Sequence, residues 1–383
     1  MSLVRAMQSC VPTLSRGRAT RALFAGLLMA TGCTGSHAVK PRSPAGPTAP
    51  EPPVIAYATS HTVALADARG HSTVMGNYSP GEYGGPPVDH LTWSPDRRSI
   101  IWVAKGTLYR VAAAAPTPVD SWVCACTGAG FVDGRLATVE TDGSRMLLFP
   151  PTGSGPPRSI PLTGVRLRTE LGLPGTADVL TGMGRYLVIS LYGEGTIDST
   201  MYRVDGTGRV SKIHGVGWRE VSEGLPGPGL VAAEMTQSNG SCYNVQSIGV
   251  IDPVRARLSI IPQPAPFDQN QYVLGYGWGA DGSLYASLAA VPVQCSKGPM
   301  SPNPSTTTPG HLWRLTGARW VATGRSAFAG WPGPAGSYAS ITGTTTTDDF
   351  GPARKPGHLR LTLPGGRTVT LSDDAYVFAF PPS

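Results

Sequence analysis

Asp89 and His90 stand side by side, and Asp178, Glu220 and Asp374 recur further along the chain, each just ahead of a short apolar run. Carboxylates gathered at the starts of neighbouring strands could ring one opening of a channel. There they would hold a cation or act as general acid and base, and a histidine beside one of them could carry a proton near neutral pH. The same positions also suit carboxylates that only accept backbone hydrogen bonds in their own turns. His214 is the one further histidine with a comparable setting. The sequence holds no Gly-x-Ser-x-Gly elbow, no His-Glu-x-x-His pair, no phosphate-binding glycine loop and no calcium-binding loop. It therefore assigns no catalytic residue, no metal ligand and no cofactor. Asp348 and Asp349, which follow four threonines, read as the tip of a solvated loop.

The amino terminus sets the compartment. The first 32 residues carry Arg5, Arg16, Arg18 and Arg21 and no acidic residue, followed by an apolar run from Ala22 to Ala30. That run is too short to span a bilayer, which takes about 20 apolar residues, and it has the order of a cleaved export signal. Ala30-Thr31-Gly32-Cys33 resembles the lipobox of bacterial lipoproteins, with Ala where that family more often has Leu three positions before the cysteine. The resemblance implies cleavage before Cys33, diacylation of its sulfur, and anchorage at the outer face of the cell membrane. A plain secretory signal with an incidental cysteine is the alternative. Residues 1–32 are thus expected to be a signal peptide, 33–53 a Pro-rich tether, and 54–383 the folded part. Pro-rich segments favour the extended polyproline conformation and act as stiff spacers.

Of 31 basic residues, the four arginines ahead of Cys33 leave with the signal, so the mature chain is close to neutral against its 24 acidic residues. Such a balance gives no electrostatic footprint for nucleic acid. Lysine is scarce while Ala, Gly and Pro are abundant, a composition typical of high-GC bacteria such as actinobacteria.

With Cys10 removed and Cys33 lipidated, Cys124, Cys126, Cys242 and Cys295 remain, an even number in an exported chain, and disulfides are expected. Cys242 and Cys295 fall in corresponding loops of consecutive repeats and are the favoured pair. Cys124 and Cys126 read as part of a first strand, where residues two apart are about 7 Å from each other, so their bridging needs a local irregularity. A redox or metal role for this C-x-C pair is the weaker alternative.

The elements that must position these residues are strands. Gly (49) and Pro (37) together make up roughly twice the usual share, and no long segment lacks both, which excludes a helical bundle. One strand type recurs with Val63, Leu108, Met146, Met201, Ile248, Leu312 and Leu359 as its second residue, at intervals of 45, 38, 55, 47, 64 and 47. This is the spacing of four-stranded propeller blades. Ahead of one copy, Trp93-Ser94-Pro95-Asp96 leads into an apolar strand and then Gly106-Thr107-Leu108-Tyr109, and this stretch resembles the repeat of TolB-type β-propellers. Degenerate versions occur at Phe131–Gly134, Trp278–Gly282 and Trp331–Pro334. The resemblance implies an all-β propeller and carries over no catalytic residue. Its aromatic residues are expected in the cores of blades.

The last apolar segment, from Ala375 to Phe380, reads as a first strand with nothing after it, and Val54–Tyr57 reads as a second strand with none before it. Seven blades closed by strands from both chain ends are therefore expected, with six or eight as alternatives, because the 64-residue interval has room for an insertion. The longest loops, 236–246, 292–310 and 344–357, share the face on which first strands begin. Two functions follow. The first is a monomeric, membrane-tethered, non-enzymatic module that binds a protein, peptide or glycan through that loop-rich face. The second is an extracytoplasmic hydrolase or lyase that uses Asp89, His90, Asp178 and Glu220.

Overall fold

In the computed structural model, the described residues are 53–78, 88, 91–169, 172, 175–193, 199–215, 219–238, 244–264, 269–292, 310–343, 345–348, 351–354 and 356–382. Residues 50–383 form one compact unit. The described residues are all-β, with only a short 3-10 turn at Pro334–Gly336.

The chain opens with β1 (Pro53–Thr59), β2 (Thr62–Asp67) and β3 (Ser72–Asn77). A four-stranded meander follows, β4 (Thr92–Trp93), β5 (Ser99–Ala104), β6 (Thr107–Ala112) and β7 (Ala115–Val123). The next comprises β8 (Gly130–Val132), β9 (Arg135–Val139), β10 (Arg145–Leu148) and β11 (Arg158–Pro161). After a short strap, β12 (Thr163–Gly164), come β13 (Thr176–Met183), β14 (Tyr186–Tyr192), β15 (Ser199–Asp205) and β16 (Arg209–Lys212), with β12 added in parallel to the outer edge of β16. Two further meanders are β17 (Glu220–Pro226), β18 (Val231–Ser238), β19 (Asn244–Asp252) and β20 (Arg257–Ile260), then β21 (Gln269–Trp278), β22 (Leu284–Pro292), β23 (His311–Thr316) and β24 (Arg319–Ser326). The chain ends with β25 (Ala329–Pro332), β26 (Tyr338–Thr342), a hairpin of β27 (Thr345–Asp348) and β28 (Gly351–Arg354), β29 (Gly357–Thr362) and the long β30 (Thr368–Ala379).

The final sheet runs in the order β25-β26-β29-β30-β1-β2-β3. Its hinge is β30, whose first half pairs with β29 (Leu361↔Val369, Thr362↔Thr368) and whose second half pairs with β1 (Ala56↔Ala379, Tyr57↔Phe378, Ala58↔Val377). The carboxy-terminal segment thus supplies the strand that Val54–Tyr57 lacks, as the sequence predicts. Every marker residue of the repeat lies in the third strand of its meander, and each is at most 1% exposed. Apolar clusters fill the space between consecutive sheets. One joins β1 and β2 to the β4–β7 sheet through Val63, Leu65, Trp93 and Trp102, and another joins β9 and β10 to β13–β15 through Val139, Met146, Ile189 and Val204. Successive four-stranded meanders packed face to face are the architecture of a β-propeller.

A second device repeats between sheets. Arg110 in β6 and Arg203 in β15 occupy the same place in the repeat, one residue before the strand's next buried valine. Arg110 donates to the carbonyls of Pro150 and Gly153 in the following meander, pairs with Asp120 at 2.6 Å and lies 5.0 Å from the Trp122 ring centroid. Arg203 donates to the carbonyls of Pro253 and Val254 and lies 4.7 Å from the Tyr186 ring. A guanidinium fork suits this work because it serves several carbonyl acceptors at once while stacking on an aromatic face.

Two expectations are corrected. Cys124 and Cys126 do not lie in a first strand: they follow β7, the fourth strand of its meander, in the loop that leads to β8. The alternation of buried and exposed residues runs on unbroken from Ser121 to Thr127, which is why the segment reads as strand. The stretch 344–357 is not a plain loop, since β27 and β28 pair within it.

Phe378 is 2% exposed and stacks on Trp331 at 4.3 Å between ring centroids. Phe378→Ala is expected to lower stability by about 3–5 kcal/mol in chemical denaturation, whereas Val321→Ala on an exposed strand face is expected to change it by less than about 0.5 kcal/mol. The turns carry a pH signature. The amide of Ser144 holds the Asp142 carboxyl below its ordinary range, the amide of Arg255 does so for Asp252, and the hydroxyl of Ser94 does so for Asp96. A carboxyl more acidic in the folded chain stabilises above the unfolded value of about 4 and loses that contribution as pH falls through the folded value. The melting temperature is expected to drop below about pH 4, and Asp142→Asn with Asp252→Asn is expected to flatten that drop by lowering the neutral melting temperature toward the acid value.

Candidate functional site

Each first strand has two ends. At the starting end stand the carboxylates singled out in the sequence. Asp178 lies in β13 and accepts a hydrogen bond from the Thr127 hydroxyl, which reaches it from the loop ahead of β8. Glu220 opens β17 and is exposed. Both lie near Tyr192, whose hydroxyl donates to the carbonyl of Val221. Burial pushes the Tyr192 phenol up to about 12, and the charges of Asp178 and Glu220 push the same way. Asp374 sits inside β30 and is engaged at the β1–β2 turn, where it accepts the Ser60 hydroxyl at 2.7 Å and the Ser60 amide at 3.2 Å. The structure therefore brings Asp178 and Glu220 to one shared neighbour and places Asp374 in a turn. Asp89, His90, Cys33, Cys242 and Cys295 lie outside the described residues. His214 is exposed, and its backbone ties it to Ala256 and Leu258.

Cys124 and Cys126 are bridged, with their Cα atoms 5.2 Å apart. The bridge is buried between the β4–β7 and β8–β11 sheets, among Ile101, Leu108, Trp122, Phe131 and Phe149. The Cys124 amide still donates to the carbonyl of Gly106 at 2.9 Å, and the chain leaves the extended ladder of β7 just after it, so the 7 Å spacing of a regular strand does not apply.

The opposite ends of the first strands enclose a cavity of about 490 Å3. Every meander contributes through the end of its first strand: Trp93 from β4, Phe131 from β8, Met183 from β13, Leu225 and Pro226 from β17, Trp278 from β21, Trp331 from β25, and Val377 to Phe380 from β30 and just beyond it. Its volume falls within the range of pockets that hold small molecules. Among the described residues, none of the lining side chains is an Asp, Glu, Lys, Arg or His. Tyr276 is the lining residue with an ionisable group, and burial holds its phenol well above the ordinary range, with Glu223 and Glu234 adding to the effect.

The aromatic wall is built from contacts between sheets. The Trp93 indole donates to the carbonyl of Ala379 at 3.0 Å, and the Trp278 indole donates to the carbonyl of Leu225 at 3.1 Å, each reaching the preceding first strand. Glycines make this approach possible. A Cβ on Gly227 would fall 2.1 Å from the Trp278 ring, and one on Gly277 would fall 2.4 Å from that of Trp331. Expected as core residues, the aromatic side chains of the repeat serve both as packing between sheets and as the surface of the cavity. The sequence holds the signal, an aromatic residue at the end of a first strand followed by a Gly- or Pro-containing turn, but each copy alone reads as core.

No protein-family model matches the chain, and no curated protein sequence matches it. Several solved structures are similar to it. They include the dihydro-heme d1 dehydrogenase NirN in complex with DHE (12% identity, 88% of this chain and 78% of that chain, TM-score 0.48). The β-propeller domain of the Trilobed protease from Pyrococcus furiosus is another (10% identity, 69% and 76%, TM-score 0.45). A third is TolB from Acinetobacter baumannii (14% identity, 72% and 64%, TM-score 0.42).

Gly277→Ala is expected to force Trp331 aside, to lower stability by about 1–3 kcal/mol and to shift the tryptophan emission spectrum. Gly155→Ala is expected to do neither, because its Cβ would meet only Pro150 at 3.8 Å.

Proposed function

We propose that the chain is an exported propeller of seven blades, TolB-like in its repeat, closed by strands from both ends and anchored to the outer face of the cell membrane through lipidated Cys33. In this reading it works there as a non-enzymatic binding module. The blade count follows from letting β30 serve twice, as the fourth strand of one blade and the first strand of the next. Export and anchorage rest on the basic and apolar leader and on Ala30-Thr31-Gly32-Cys33.

The observation that carries the binding reading is the cavity, to which every first strand contributes and whose wall, among the described residues, holds no charged side chain. Such a wall retains a ligand by burial and shape and has no group suited to moving a proton. The carboxylates that could do acid or base work stand at the other end of the strands. There Asp178 and Glu220, with Asp89, His90 and Asp374, would form a mouth flanked by the long loops and a Cys242–Cys295 bridge.

A photo-crosslinking residue placed at Met183, in the cavity wall, or at Thr127, at the strand-start end, separates the two ends in native membranes. Adducts are expected at Met183 and not at Thr127, and Cys33→Ala is expected to move the protein from the membrane to the soluble fraction. Adducts at Thr127 alone would place the seat among the carboxylates and contradict this reading.

A further inference from the structure

We infer that the cavity at the ends of the first strands is a site for an uncharged, predominantly apolar small molecule with a flat ring system. This inference rests on the reading of that cavity as the binding seat and adds the chemistry of its occupant. Three features of the wall point to it.

The first is charge. Among the described residues, the side chains around the cavity are aromatic, aliphatic, the Met183 thioether, proline, glycine, alanine and a single threonine, Thr92, which is itself buried. A charged ligand entering it would lose its hydration with no counter-charge to replace it, at a cost that a neutral ligand avoids.

The second is the scarcity of hydrogen-bond donors. Pro95, Pro226, Pro228, Pro381 and Pro382 line the cavity and have no N–H to give. The indoles of Trp93 and Trp278 have already donated to Ala379 and Leu225, so the wall's few side-chain donors include the Thr92 hydroxyl and the buried Tyr276 phenol, which suit one or two acceptors on the ligand and not many. A glycan or an extended peptide presents many acceptors, and each one buried against this wall without a partner would weaken binding. An apolar molecule brings few such groups.

The third is shape and stiffness. The Trp93, Phe131, Trp278, Trp331 and Phe380 rings come from four different sheets and are fixed by packing between them. Trp331 stacks on Phe378, and Phe378 meets Phe380 edge to face at 5.8 Å. Flat rings held in place favour a flat partner, because stacking and edge-to-face contacts add to the gain from burial. A volume of about 490 Å3 admits a molecule of ligand size and not a folded partner.

The test uses N-phenyl-1-naphthylamine, a neutral, flat, apolar probe whose emission rises on leaving water, titrated into the full chain with excitation of tryptophan. Saturable binding at one site per chain, with energy transfer from the wall tryptophans, is the expected result. Ala280→Trp, which fills the cavity, and Pro228→Asp, which sets a charge at its exposed rim, are each expected to weaken the probe at least tenfold with an unchanged circular dichroism spectrum. Should Ala280→Trp not fold, Pro228→Asp decides alone. The inference is overturned by an absence of saturable binding, by equal binding to wild type and the folded variants, or by anilinonaphthalene sulfonate, the charged analogue, binding as tightly. It is overturned equally if a proline-rich peptide or an oligosaccharide displaces the probe at lower concentration than neutral aromatic compounds do. Adducts at Met183 without probe binding would mean that the seat is right and the ligand class wrong. Absence of both would mean that the seat itself is wrong.

Discussion

The pairing of β30 with β1 is the contact on which the rest of the structure depends. Apart from β26–β29, which skips the β27–β28 hairpin, and the β12–β16 strap, the other ladders among the described residues join consecutive strands, but this one brings Tyr57 opposite Phe378. The entropic cost of closing so long a loop grows only with the logarithm of its length, so one well-packed strand pair can offset it once the intervening sheets are in place. The Tyr57 hydroxyl adds a hydrogen bond to the carbonyl of Leu371 at 3.3 Å. A first strand at one end and an unpaired second strand at the other would leave two open edges, which invite pairing with other chains, and their mutual pairing removes both.

The cavity inherits its form from that closure. Val377 to Pro382 line it where β30 pairs with β1 and just beyond, and Trp93 on the next first strand donates to Ala379 within the same stretch. Around the wall, the Trp93, Trp278 and Trp331 rings each rest on the neighbouring first strand, and Gly227 and Gly277 leave the space that two of them need. Toward the outer strands, the Arg110 and Arg203 clamps tie consecutive sheets from another direction. Sheet packing and cavity wall are therefore made of the same residues, so a change in one is felt in the other.

Much of the fold is legible in the sequence, because a third strand buried on both faces must be apolar at its centre. Val63, Leu108, Met146, Met201, Ile248, Leu312 and Leu359 mark it each time. The missing strand at each end is legible for the same reason. The cavity is not, since each sheet gives it only a few residues, a tryptophan or a Gly-Pro turn, tens of positions apart. Locally, such residues signify core or turn and nothing more. The Cys124–Cys126 segment misleads in a different way, because its alternating burial imitates a strand while its backbone is leaving the ladder. Asp374 shows how a carboxylate near a channel can be taken up by a turn, here by Ser60. Its spacing in the sequence is the same as if it faced solvent.

Native-state hydrogen exchange of β1 and of residues 375–379 tests the dependence on closure most directly. If the β30–β1 ladder holds the ring, these amides exchange only through global unfolding, with the same free energy and denaturant dependence as the buried third strands. Exchange of this ladder through a local opening of low free energy, with the third strands still protected, would contradict the account.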